Sequence, residues 1–204
     1  MSVAASALSL FVAPMLESTD LKMKALAFLA ASAGFFVVFL VTTRILALYR
    51  YRKLRGKWYY VTHPYEDAQY KDGNFAIMEF SVNRNFDIEY KVYLYYSVDS
   101  LKNQRSAKVK GKASSKALHY NLDKGEVHIL FEVKYMTGDP TNINREGRLS
   151  LQLFSDGSLA GDWTSEVHIQ EDGKTKRTSS SGKMRAFRTV DELIEYEAVR
   201  KGPQ

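Results

Sequence analysis

An uncharged apolar run constrains this chain more than any other feature. The nineteen residues 25–43 contain no charged side chain, and four cations follow within residues 50–55. About 20 predominantly apolar residues are enough to cross the hydrocarbon core of a bilayer as a helix. Cations concentrate on the cytoplasmic side of such a helix. The sequence therefore predicts a membrane span at residues 25–49, with the domain that follows it on the cytoplasmic side.

A shorter apolar stretch, residues 2–16, precedes this span and is interrupted by Pro14. A signal peptide is disfavoured because no cation precedes the apolar core. An interfacial helix is disfavoured because a strongly polar face is missing. We favour a short first span, which would make residues 1–54 a transmembrane hairpin with residues 17–24 as its turn. A buried or interfacial N-terminal segment is the alternative.

Small residues recur along one face of the predicted span, at Ala27, Ala31 and Gly34. Such faces let helices approach closely inside lipid. The pattern therefore predicts self-association of the span through these three positions, although an alanine-rich helix without any partner gives the same pattern.

The pattern changes to strict alternation in the remaining domain, residues 55–204. Apolar side chains occupy every second position in residues 86–96 and again in 127–135, which is typical of half-buried strands. Asp-Gly pairs between the runs favour tight hairpin turns. The predicted strands are 56–63, 74–82, 86–97, 105–113, 116–121, 126–136, 147–155 and 158–170, with a further one at 175–188.

This spacing predicts a mainly β fold, an antiparallel barrel of about eight strands or a sandwich. An eight-stranded barrel leaves room to hold one small ligand. A short helix should follow the last strand, because Thr189 and Glu192 have the spacing of a capping box. We expect this helix to pack against the barrel or to plug one end.

Reactive groups are sparse, so the sequence does not predict an enzyme. The chain has no cysteine, and its four histidines lack the spacing of a metal site. Phosphate-binding loops and nucleophile motifs are missing as well. We therefore expect neither a catalytic residue nor a metal or cofactor.

Cations interleaved with aromatic side chains are the main chemical signal, in a chain with a net charge of +6. Guanidinium groups bind phosphates and aromatic faces stack on bases, so a pocket combining them would suit a nucleotide. Solvent-facing strand residues would produce the same pattern. The candidate ligand-binding residues are Tyr93, Tyr95, Lys108, Arg145, Arg148, Trp163, Lys183 and Arg185.

Two stretches support a resemblance to known proteins. Gly56-Lys57-Trp58 has the GxW form of lipocalin-like barrels, and it lies within the basic stretch 53–60 that follows the apolar region. With this layout the chain resembles the two-transmembrane effectors with a β-strand-rich domain found in cyclic-oligonucleotide-based anti-phage signalling (CBASS). The resemblance implies a cytoplasmic barrel that binds a cyclic dinucleotide, homo-oligomerisation in the inner membrane, disruption of the membrane and death of the infected cell. It implies membrane lipids as partners, but not a nucleic-acid polymer.

Two other functional classes stay open from the residues alone. A membrane-tethered lipocalin-like carrier of a small apolar ligand would have an aliphatic lumen, with Lys108, Arg148 and Arg185 outside the barrel. A structural protein of the inner membrane would have a filled barrel without a pocket.

Overall fold

The chain divides into two units, Met1–Arg50 and Tyr51–Gln204. The structure, a computed structural model, describes residues 20–68, 74–103, 109–135, 145–171 and 174–201. The predicted first span, residues 2–16, lies outside the described residues.

In the first unit, helix α1 (Leu21–Arg50) is 30 residues long. The Asp20 carboxylate begins the helix by accepting a hydrogen bond from the Lys22 backbone N–H at 2.9 Å, as an N-cap residue does. The helix therefore includes the predicted span and begins inside the predicted turn. The prediction of a turn was wrong for residues 21–24, which are helical. It is long and apolar enough to cross a membrane.

The faces of α1 differ in exposure. Ala27 is fully buried, and Ala31 and Gly34 are half-buried. The large apolar side chains Phe28 and Phe35 are more than two-thirds exposed, at 71% and 73%. A helix surface of this kind has the polarity of lipid rather than that of water.

The second unit is a closed barrel of eight antiparallel strands that follow one another in chain order. Each strand pairs with the next, and the last pairs back with the first, Tyr59 lying opposite Phe187. This confirms the predicted mainly β fold and excludes the sandwich. The strands are β1 (Gly56–Pro64), β2 (Phe75–Val82), β3 (Ile88–Tyr95), β4 (Val109–Asn121), β5 (Glu126–Tyr135), β6 (Arg145–Leu153), β7 (Leu159–Glu171) and β8 (Lys174–Phe187).

Strand β4 joins two segments that the sequence pattern predicted as separate strands, 105–113 and 116–121. Its pairing with β5 shifts register between Ser115 and Ala117. Such a bulge inserts an extra residue without ending the strand. The polar sequence around Ser115 interrupts the alternation, so the pattern suggested a strand end where the strand only bends.

The interior is packed at the end of the barrel where β1 begins. Alternating positions on neighbouring strands point inward, as in the register pair Trp58 and Met78. Both side chains are completely inaccessible to solvent. The other side chains that point into the interior and are fully buried are Phe80, Val92, Val127, Ile129 and Leu159.

A second, smaller apolar cluster lies on the outer face of the barrel. Helix α2 (Val98–Lys102) begins at Ser97, whose hydroxyl accepts a hydrogen bond from the Ser100 N–H. Leu101 of this helix is fully buried with Ile77 and Tyr95. The alternation did not predict α2, because five residues are too few to show a helical period.

The C-terminal helix α3 (Val190–Lys201) has the predicted capping box. The Thr189 N–H donates to the Glu192 carboxylate at 3.0 Å, and the Glu192 N–H donates to the Thr189 hydroxyl at 3.3 Å. The helix packs against β1 and β8, with the Tyr196 ring 5.3 Å from that of Phe187. Because Phe187 points outward in the register, the helix covers the barrel wall and does not plug an end.

Candidate functional site

A cavity of about 80 Å³ lies inside the barrel, in the half opposite the packed end. In this half of the barrel, Ala76 of β2 lies opposite Leu94 of β3 in the register. One part of the wall is apolar, formed by Leu94, Ala113, Phe131, Val133, Leu149 and Met184. The other part is polar, formed by Tyr60, Thr62, Asn74, Tyr90, Arg145, Trp163, Ser165 and Ser180.

Some polar atoms in this wall are buried without a hydrogen-bond partner. The Trp163 indole Nε1 and the Ser180 hydroxyl form no hydrogen bond with any described residue. Ser180 is only 4% exposed. Burying a donor without a partner costs about 1–3 kcal/mol, so such groups are usually met by a water or a ligand. An indole N–H only donates, so the cavity favours an acceptor atom at Trp163.

Tyr90 contributes a further donor at the cavity wall. Burial raises the pKa of its phenol well above the ordinary value, against a smaller opposing effect of the hydrogen bond with Tyr60. Burial disfavours the charged phenolate. Tyr90 therefore stays protonated at physiological pH and can donate to a ligand.

Arg145 gives the cavity its positive charge. It lies at the start of β6 and pairs in register with Val133, which points inward. A guanidinium has five donors and matches a phosphate or carboxylate bidentately. Arg145 and Trp163 thus supply an anion-binding group and an aromatic face in one interior space.

The volume limits what the cavity holds in this conformation. A site for a drug-sized ligand usually measures about 300–1,000 Å³. A space of about 80 Å³ admits several waters or one small chemical group. A whole cyclic dinucleotide needs a wider barrel interior than the one observed.

The eight residues predicted to bind a ligand do not form one cluster. Arg145 and Trp163 line the cavity together. Arg148 lies on the outer face, opposite Leu130 and Thr164 in the register. Lys108 lies outside the described residues.

Lys183 and Arg185 also lie on the outer face, where both are paired. The Lys183 ammonium is 3.5 Å from the Asp162 carboxylate. The Arg185 guanidinium is 3.3 Å from Asp156 and lies 5.3 Å from the Tyr196 ring centroid. These contacts join β8 to β7, to the turn before β7 and to α3, away from the cavity.

The two predicted tyrosines point outward from β3. Lys112 Nζ lies 5.8 Å from the ring centroid of Tyr93. Tyr95 is 5% exposed and belongs to the outer cluster beneath α2. Neither ring faces the cavity, so base stacking inside the barrel would involve Trp163, Tyr60 or Tyr90 instead.

The placement of the cations bears on the open alternatives. Arg148 and Arg185 are outside the barrel, as expected for a carrier of an apolar ligand, whereas Arg145 is inside, as expected for a receptor of an anion. The presence of a cavity is unlike the filled barrel expected of a purely structural protein.

Several cavity residues escaped the sequence reasoning, including Tyr60, Thr62 and Ser180. Tyr60 and Thr62 follow Trp58 at intervals of two, so the face of Trp58 would have identified them. Ser180 lies in a polar strand with few apolar residues, where alternation gives no indication of the inward face.

A metal centre has no structural support in the part of the chain that is described. No group of three or more His, Asp or Glu residues within these ranges is arranged to hold a metal ion.

Comparison with protein-family models and with curated proteins found no match to this sequence.

Proposed function

We propose that this protein is a membrane-anchored receptor whose barrel binds a cyclic dinucleotide in its interior. The observation that carries the proposal is the joint placement of Arg145 and Trp163 in one cavity. A guanidinium binds phosphate oxygens and an aromatic ring stacks on a base. Helix α1, which is long and apolar enough to cross a membrane, would be the anchor.

The small volume of the cavity suggests that binding of the ligand would change the conformation of the barrel. A ligand shifts a conformational equilibrium only by its differential affinity for the two states. Because the observed interior is too small for a dinucleotide, the ligand would bind a widened barrel and stabilise it. We propose that the widened barrel is the state that assembles with other copies of the chain.

The output of this assembly would be damage to the membrane. The partly exposed positions of the small-residue face, Ala31 and Gly34, would bring α1 helices together in the inner membrane, with the barrel in the cytoplasm. Disruption of the membrane would then kill the infected cell, as the resemblance to anti-phage effectors implies. The chain would act without catalysis and without a metal or cofactor.

Calorimetry tests the receptor half of the proposal. The full chain, in detergent micelles, is titrated with a panel of cyclic dinucleotides, and at least one should bind. Ala113→Leu places extra carbon atoms in the cavity and should abolish this binding. Ala117→Leu, on the same strand but on the outer face, should leave it intact. Absence of binding across the panel, or equal effects of both substitutions, would overturn the assignment of the site.

Dye leakage tests the effector half separately. Liposomes containing the full chain should leak on addition of the bound dinucleotide and remain sealed with a nucleotide that does not bind. Binding without leakage would remove the membrane-disrupting role and leave the receptor.

The carrier alternative has one specific observation in its favour. The apolar part of the wall, which includes Leu94, Leu149 and Met184, would suit a small apolar ligand. The partnerless Trp163 and Ser180 groups favour a ligand with hydrogen-bonding atoms. An environment-sensitive apolar dye in the same titration separates the two, since a carrier binds the dye and ignores the dinucleotides.

A further inference from the structure

The short segment between α1 and β1 combines two buried apolar side chains with exposed charged ones. Tyr51 is 8% exposed and Leu54 is fully buried. The three cations of this segment and Lys57, the second residue of β1, are all exposed. Together we call them the basic collar: Arg52, Lys53, Arg55 and Lys57.

Hydrogen bonds fix the backbone of the segment. The N–H groups of Leu54 and Arg55 donate to the Tyr51 carbonyl at 3.0 and 2.8 Å. The Trp58 indole donates to the Leu54 carbonyl at 2.7 Å. The Tyr51 ring also lies 6.2 Å from the ring of Tyr120. The turn that bears most of the collar is thus fixed by contacts with buried residues of the barrel.

Arg188, the residue after β8, forms hydrogen bonds with the same turn. The Arg188 guanidinium donates to the carbonyls of Lys53 and Arg55, the latter at 3.0 Å. It also lies 3.6 Å from the centroid of the Trp58 ring. Arg188 therefore bonds to backbone carbonyls of the collar, whereas the side chains of the collar cations stay exposed to solvent.

Three collar cations are not neutralised by an ion pair with a described residue, although Glu79 lies opposite Lys57 in the register. Within the described residues, Lys53, Arg55 and Lys57 form no ion pair. Arg52 is only four positions beyond Leu48, the last aliphatic residue of α1. A chain that crosses the bilayer through α1 would emerge at headgroup depth at this point.

We propose that the basic collar is a binding site for the headgroups of anionic phospholipids. Cations beside an anionic leaflet favour its lipids electrostatically, and a preordered backbone lowers the entropy lost on binding. The inference rests on the membrane anchoring in the proposed function, and it is independent of the cyclic dinucleotide.

Lipid selectivity provides the test. The full chain is reconstituted in phosphatidylcholine bilayers, and its association with spin-labelled phosphatidylglycerol is compared with that of spin-labelled phosphatidylcholine. The wild type should favour phosphatidylglycerol several-fold, and the preference should weaken as salt rises. A variant with all four collar cations changed to Gln should lose the preference.

A matched variant controls for net charge. It changes four exposed lysines elsewhere on the barrel to Gln and should retain the lipid preference: Lys91, Lys102, Lys112 and Lys124. All altered side chains are exposed, and a thermal melt of each variant verifies the fold. An unselective wild type, or equal loss in both variants, would overturn the collar site.

Vesicle flotation distinguishes a failed collar from a failed anchor. If the chain does not insert, flotation with phosphatidylglycerol vesicles but not with pure phosphatidylcholine vesicles still supports the collar. No flotation with either lipid overturns both the collar and the anchor. Failure of the nucleotide titration alone affects neither result.

Discussion

The Arg188 guanidinium lies 3.6 Å from the centroid of the Trp58 ring, so the residue after β8 packs on a residue near the start of β1. The indole is fully buried, and the guanidinium also donates to the backbone before β1. A cation over an aromatic face contributes more when it is partly desolvated. This contact therefore helps to fix the place where the barrel closes.

Arg188→Ala should lower the free energy of unfolding by about 2 kcal/mol, since it removes a cation–π contact and two hydrogen bonds. Arg188→Lys should lose an intermediate amount, because an ammonium lacks the planar fork. Thermal and urea unfolding of the detergent-solubilised chain measures the change. Lys183→Ala, which removes a solvent-exposed ion pair between β8 and β7, should cost much less, because exposed ion pairs add little to stability. Equal losses at both positions would contradict a special role for Arg188.

Arg145 and Arg148 form a matched pair for testing ligand binding in the cavity, because they lie on the same strand and point to opposite faces of the barrel wall. Arg145→Ala should weaken dinucleotide binding at least tenfold, since a charge-assisted hydrogen bond contributes about 1.5–3 kcal/mol. Arg148→Ala should leave the affinity within about twofold, the change expected of a surface charge. Isothermal calorimetry measures both. A larger loss at Arg148 would move the site to the outer face.

The burial of His63 beside Glu197 of α3 should make the attachment of this helix depend on pH. His63 Nε2 lies 3.0 Å from the Glu197 carboxylate. Burial lowers the pKa of His63 below its ordinary value of 6.5, and Arg200 lowers it further, while Glu197 opposes the change. The unfolded chain therefore takes up a proton at higher pH than the folded chain, and stability falls as pH decreases from about 6.5 through the folded pKa.

Unfolding titrations between pH 8 and 5 would reveal this dependence, a window that spans the ordinary histidine pKa of about 6.5. His63→Gln should flatten the dependence relative to the wild type. His119→Gln, at an exposed position on β4, should leave it unchanged. Protection of α3 amides from hydrogen exchange should fall in parallel in the wild type. A wild type that gains stability on acidification would show that the pairing with Glu197 outweighs burial.

Gly34→Leu should weaken assembly of the full chain in the membrane, because a larger side chain keeps helices apart. Dinucleotide binding by the barrel should be unaffected. Chemical crosslinking in liposomes, with and without ligand, measures assembly. Phe36→Leu, at an exposed apolar position on the opposite side of the helix, is the matched control and should assemble normally. Normal assembly of Gly34→Leu would exclude this face.

Much of the fold could be predicted because apolar side chains recur at every second residue of a strand that has one buried face. The run from Ile88 to Leu94 shows this repeat without interruption, and it lines the interior as expected. The repeat failed at Ser115, where a bulge shifted the register inside one strand. It also carried no information on α2, which is shorter than two helical turns.

The site was harder to predict because alternation separates two faces without saying which one is inside. Tyr90 and Tyr93 are both aromatic, yet only Tyr90 reaches the cavity. Tyr95 is buried on the outside because α2 covers it, which is a tertiary effect. Arg145 and Trp163 were among the predicted residues, but only the closed barrel identifies them as neighbours.

The pairing of β1 with β8 sets an order on biosynthesis. Strand β1 is made soon after α1, but its final partner is translated more than a hundred residues later. Until then one edge of β1 is open, and open edges invite aggregation. The apolar helix can thus engage a membrane well before the barrel closes, and a chain truncated before β8 would be left with exposed strand edges that can pair with other chains.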